Sequence, residues 1–266
     1  MGVPDFTVVV GVDAKHLQQL SWTLPTWKLH KPDLFKRPWL VFYDCDSLNR
    51  AAVRSVVKVP DLNVVPWPPL RTEYNGDGGS KWTNPQRNKM LTGYVFVPAM
   101  QVLTPYWLKV DTDAIAMGQN CWIEDDWFEG EPAFIGPRWS FTKPPDQMVF
   151  LDQWVEKHRD KLRPWSLHPP LNLRPKPGAS RLNHKRTVSW CAFFKTDFTR
   201  KCAVGASAVC GPCQMPVPSQ DGFLWYMATR GWFGVKAIQV KRLGWKIRST
   251  QRGIKEAVAE AMCLKT

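Results

Sequence analysis

Tyr106-Trp107-Leu108-Lys109-Val110-Asp111-Thr112-Asp113 is an apolar, β-rich run that ends in two carboxylates at positions i and i+2. In an extended chain that spacing turns both carboxylates to one side, because side chains alternate faces. Two hard oxygen donors at the end of a buried strand suit Mg²⁺ or Mn²⁺, which favour carboxylates and keep positions open for phosphate oxygens. Tyr43-Asp44-Cys45-Asp46 repeats the pattern at an earlier strand end.

The residues before this run read as repeated strand–helix units. Phe6 to Asp13 is a nearly unbroken apolar run stopped by Gly11 and Asp13, as expected for a strand covered on both faces. Residues 16–27 follow as a short helix closed at Pro25, 38–44 as a second strand, 48–57 as a helix and 62–65 as a third strand. This alternation predicts βαβ units and an open, mostly parallel sheet. Residues 71–83 are polar and Gly-rich, which predicts a loop of the kind used as a lid. Asn84-Pro85 then opens a helix, with Asn as cap and Pro at the first position. The second half is mixed. Strands are expected at 133–136, 187–195 and within 235–247, and helices at 146–161, 219–230 and 251–264. The Pro-rich, basic segment 163–183 reads as loop.

A chain of 266 residues, 44% hydrophobic, is long enough for a substantial core and does not have the composition of a disordered protein. No apolar run approaches the ~18 residues of a membrane span. No signal peptide is recognisable at the N-terminus, so the expectation is a soluble, cytoplasmic protein. Seven cysteines, scattered and odd in number, point to reduced thiols. The net charge of +13 implies a polyanionic partner. Between Lys157 and Lys201 there are 12 Lys or Arg against 2 acids, and between Gly222 and Lys255 there are 8 and none. Tryptophans lie among both runs, and bases mixed with aromatics suit backbone phosphates plus base stacking.

The Asp111-Thr112-Asp113 strand, together with the order of elements around it, resembles the glycosyltransferases of GT-A fold. The resemblance covers most of the chain in outline, and the first strand and the Asp-x-Asp strand match closely. It implies a Rossmann-like sheet flanked by helices, with a nucleotide-sugar-binding half over 1–120 and a mixed α/β acceptor-binding half over 121–266 of one compact domain. It also implies that Asp111 and Asp113 hold Mn²⁺ or Mg²⁺ against the diphosphate of a nucleotide-sugar, a UDP-sugar being the expected donor. Val10, Gly11 and Asp13 stand where the family contacts the nucleoside, and Asp44 where it contacts base or ribose. A helix cap and a turn residue are the competing roles for Asp44 and Asp46. Arg87 and Lys89 could pair with phosphate oxygens or simply form a solvated helix face. Lys81 and Trp82 are lid positions.

In the second half, Asp221 resembles the general base of inverting GT-A enzymes, which takes the proton of the acceptor hydroxyl. Its alternative role is to favour the positive N-terminus of a helix. The late His that often completes the family's metal shell is missing, since none follows His184. Lys185, Arg186, Trp190, Trp225, Arg230 and Trp232 are the acceptor-binding candidates. The expected acceptor is a hydroxymethylated base in DNA, as similar enzymes of bacterial viruses modify, exposed by flipping. A polysaccharide, lipid or protein acceptor, a two-metal nuclease and a non-catalytic nucleic-acid-binding module are the alternatives. Cys210 and Cys213, with Cys191, Cys202 and His184, offer at most one metal-binding pair, and a loop of free thiols is expected there.

Overall fold

The computed structural model describes residues 2–67, 85–118, 123, 125–140, 146–162, 185–187, 191–216, 220–229, 237–240, 244–248 and 250–264. For some of these, among them Arg87, Lys89, Lys185, Arg186, Asp221 and Trp225, it describes the backbone alone. In chain order the elements are β1 (Phe6–Val12), α1 (Ala14–His30), β2 (Trp39–Tyr43), α2 (Arg50–Val56), β3 (Leu62–Pro66), α3 (Pro85–Gln101), β4 (Tyr106–Val110), β5 (Ala114–Ala116), β6 (Phe134–Ser140), α4 (Asp146–Lys157), α5 (Arg159–Leu162), β7 (Lys185–Thr187), β8 (Cys191–Lys195), α6 (Thr196–Cys210), α7 (Gln220–Thr229), β9 (Ala237–Val240), β10 (Trp245–Ile247) and α8 (Gln251–Cys263).

Eight strands form one sheet in the order β3-β2-β1-β4-β8-β6-β7, with β9 paired to β6. The first four are parallel, β8 is antiparallel to both β4 and β6, and β9 is parallel to β6. Six strands therefore run one way, with β8 and β7 opposed. Side-chain alternation splits the core in two. Phe6, Val8, Val10, Val12, Tyr106, Leu108 and Val110 pack towards α1 and α2. Val9, Phe42, Trp107, Phe134 and Phe194 pack towards α3, α6 and α7. Both faces are covered, which is why β1 and β4 are buried along their whole length.

After β3 the chain crosses to the other side of β1 and enters β4. The strand order thus reverses between β1 and β4, and open α/β sheets bind ligands beyond the carboxyl ends of strands at such a point. Asp13, Asp111 and Asp113 follow those two strand ends directly.

Four sequence expectations need correction. α1 does not stop at Pro25 but runs on to His30. Pro25 and Ser21, whose carbonyl loses its helical partner, are both exposed, so water can satisfy that oxygen, while Trp27 and His30 beyond it are buried. Residues 146–161 are two helices rather than one, broken at His158. The strand expected over 187–195 is β7 and β8, with 188–190 outside the described residues. Most of the expected cysteine loop is helix α6, in which Cys202 is fully buried and Cys210 is the last residue. Burial pushes the Cys210 thiol up to about 12, so it carries no thiolate at neutral pH. Among the described residues no helix is long and apolar enough to cross a membrane.

Gly11 is required by packing. A Cβ there would lie 2.5 Å from the Phe42 ring, which is itself held edge-on to Tyr94 with ring centroids 4.8 Å apart. Gly11→Ala should therefore cost about 1–3 kcal/mol of stability in urea unfolding. Gly2→Ala, whose Cβ meets nothing within 4 Å, should leave the midpoint unchanged.

Candidate functional site

Asp111 and Asp113 lie on a turn. The Ala114 N–H donates to the Asp111 carbonyl at 3.1 Å, closing a four-residue turn between β4 and β5. The extended geometry inferred from their spacing is replaced by this reversal, because the chain leaves the large sheet at Val110 and pairs β5 with β10 instead.

One face of α1 holds the turn and β5. Thr112 Oγ1 donates to Gln19 Oε1 at 3.0 Å, and Thr23 Oγ1 donates to the Thr112 carbonyl at 2.9 Å. Trp27 Nε1 donates to the Ala114 carbonyl at 2.6 Å, and Thr26 Oγ1 accepts from the Ala116 N–H at 3.1 Å. Lys31 Nζ reaches the Gly118 carbonyl at 2.6 Å. These residues recur at helical spacing and are all buried. β5 has β10 on one edge, and α1 side chains serve backbone groups that the two-stranded pair leaves over. Each such group, buried without a partner, would cost about 1–3 kcal/mol. At the C-terminal end of α1, His30 Nε2 donates to the Ala261 carbonyl of α8 at 2.7 Å.

Charges gather at the same place. Lys109, buried in β4, donates from Nζ to Asp111 Oδ1 at 2.5 Å. Burial raises the Asp113 carboxyl above its usual range, against the opposing pull of its own backbone N–H and of His16, Lys109 and Lys15. Asp13 caps α1, accepting from the His16 N–H at 2.8 Å, and its carboxylate lies 2.7 Å from His16 Nδ1. Burial acts to raise Asp13 as well, but the contacts with the His16 side chain and backbone outweigh it and hold Asp13 below the usual carboxylate range.

The chemistry of this pair suits a divalent ion. Asp113 carries an ionisation cost that a cation beside it would relieve, and Asp111 supplies a second carboxylate two residues before it. Among the described residues no group of three His, Cys, Asp or Glu gathers, and water, phosphate oxygens or a residue outside the described ones would complete the shell.

The other candidates are distributed as follows. The Val10 side chain is fully buried in the core. The Gly11 N–H donates to Tyr94 Oη at 3.2 Å. Asp44 is buried at the end of β2, where its carboxylate accepts from Ser47 Oγ at 3.0 Å and its carbonyl from the Ser47 and Leu48 N–H groups, so it does organise a turn. Arg87 and Lys89 stand in the first turns of α3, Lys185 and Arg186 on β7, Asp221 in the first turn of α7 and Trp225 in its middle. Lys81, Trp82, Trp190, Arg230 and Trp232 lie outside the described residues. Sequence reasoning missed Gln19, Thr23, Thr26 and Lys109. The polar spacing 19-23-26 within a helix and a lysine inside an apolar strand were the available signals.

No protein-family model matches the sequence, and no curated protein matches it. Solved structures do match in fold. Core-mannan synthase A of Aspergillus fumigatus, in a Mn/GDP form, is 11% identical with a TM-score of 0.52, over 95% of this chain and 82% of its own. The mannosyltransferase Ktr4p of S. cerevisiae is 10% identical with a TM-score of 0.51, over 83% of this chain and 65% of its own, so the match spans about two thirds of the yeast protein. At this level of identity the likeness is one of fold. The chain has the mixed α/β, mostly parallel architecture of these GT-A glycosyltransferases, as the resemblance implied.

The Asp113 shift has a measurable consequence. With its folded-state pKa raised, ionised Asp113 weakens the cation-free protein at neutral pH, and that penalty fades as pH falls through the raised value towards the unfolded one. Asp113→Asn should therefore raise the melting temperature at pH 7 without divalent ions, and the gain should vanish below about pH 4.

Proposed function

We propose that this chain is a glycosyltransferase that draws a sugar from a nucleotide-sugar and uses Asp111 and Asp113 to hold Mn²⁺ or Mg²⁺. The observation that carries the proposal is the pair of carboxylates on a rigid turn at the β1/β4 switch point of a GT-A sheet. When bound there, the divalent ion supplies positive charge to the diphosphate that leaves. Asp111 and Asp113 position that ion, and the α1 stripe keeps the turn from shifting when it binds. Asp13, which follows the end of β1, is a proposed nucleoside contact. Asp221 is the proposed base for the acceptor hydroxyl, and Arg87 and Lys89 are proposed diphosphate contacts. The family resemblance favours a UDP-sugar donor, whereas core-mannan synthase A and the mannosyltransferase Ktr4p, which share this fold, were solved with GDP.

Melting temperature against a panel of nucleoside diphosphates, with and without Mn²⁺, tests the donor site. One nucleotide at about 100-fold over its Kd should raise it by about 5–10 °C only with Mn²⁺, and Asp111→Asn should abolish the rise. No shift with any nucleotide removes the proposal.

For the acceptor we propose DNA carrying a hydroxymethylated base. Support comes from the net charge of +13 and from the two acid-poor runs in the second half. Duplex DNA should bind at low ionic strength and be released with a log-linear dependence on salt. Binding that is undetectable at low salt would turn the search to anionic polysaccharide acceptors.

A further inference from the structure

Lys109 stands where the strand pattern calls for an apolar residue. In the middle of the sheet it pairs in register with Val9 of β1 and Ala192 of β8. Its side chain shares a face with Trp107, on the side lined by α3, and is only 3% exposed. Its Nζ lies 4.6 Å from the centroid of the Tyr94 ring and 2.5 Å from Asp111 Oδ1. Tyr94 is itself fixed, by the Gly11 N–H bonded to its hydroxyl and by the Phe42 ring packed on its edge. The ammonium therefore has a rigid aromatic seat beneath the end of β4, and Asp111, 35% exposed, reaches down to it from the rim.

Stability alone gives a poor account of this lysine. Taking an ammonium out of water is costly, and exchanging a buried ion pair for a well-packed apolar side chain is often neutral or stabilising. What the lysine does supply is orientation, because a charge-assisted bond from a fixed donor restricts the rotamer of Asp111. Outer groups of this kind commonly orient metal ligands. We propose that Lys109 is a positioning residue for Asp111, holding its carboxylate in the orientation a divalent cation requires at the expense of core stability. The proposal rests on the donor site described above.

Lys109→Met and Lys109→Gln test it, with Mn²⁺ binding followed by the loss of the free-ion EPR signal at a fixed nucleoside diphosphate concentration, alongside urea unfolding. Because Asp111 is 35% exposed, water can solvate its carboxylate once the ammonium is gone, so Lys109→Met should unfold at a urea concentration no lower than that of the unsubstituted chain, yet bind Mn²⁺ about 10- to 100-fold more weakly. Lys109→Gln, which keeps an N–H donor, should fall between. Loss of stability together with weaker binding, or failure of both variants to fold, makes Lys109 a structural residue and overturns the proposal. Unchanged Mn²⁺ binding by a folded Lys109→Met overturns it too and leaves the donor site standing. An unsubstituted chain that binds no Mn²⁺ with any nucleotide overturns the donor site itself, and the role of Lys109 with it.

Discussion

Hydrogen bonds from the buried face of α1 to the backbone of residues 112–116 constrain the rest of the site. Gln19, Thr23, Thr26 and Trp27 occupy positions that an amphipathic helix would ordinarily give to aliphatic side chains. Thr23, Thr26 and Trp27 are used instead to hold backbone groups of Thr112, Ala116 and Ala114, and Gln19 accepts from the Thr112 hydroxyl. A turn held this way moves only if the helix moves. The helix is anchored in turn at its start by the Asp13 cap and at its end by the bond from His30 to α8. The C-terminal region takes part, since β10 covers one edge of β5 and α8 packs beside α1.

The same region concentrates the described molecule's costly interactions. Lys31 and Lys109 are buried lysines, and both lie against the segment that follows β4. Asp113 is ionised only against a burial penalty. Elsewhere the core is mostly aromatic and aliphatic side chains on both faces of the sheet. Local violations of an otherwise consistent pattern mark the places where a protein departs from the most stable arrangement for function.

Much of the architecture was legible in the chain. The apolar runs of β1, β2 and β4 need cover on both faces, and alternating strands and helices lead to a parallel sheet. Asn49 and Thr250, small polar caps whose side chains accept from the third residue on, open α2 and α8 within two residues of the expected starts. Harder to see was α6, whose start has no side-chain cap and whose cysteines suggested other chemistry. The length of α1 was hidden by Pro25 and by the polar residues on its buried face. At the candidate site, the two carboxylates could be picked out in the chain, and the turn that carries them could not.

From local pattern alone β1 to β4, the charged runs and the carboxylates that follow a strand end could be read, because those properties are local and repeat with the period of the backbone. Long-range packing sets Asp111 and Asp113 on a turn, takes β5 out of the main sheet to pair with β10, and aims Lys109 at Asp111. Each of these depends on which backbone edge remains unpaired after distant segments have packed. A side chain bonded to a distant backbone carbonyl has no period in the chain that could announce it.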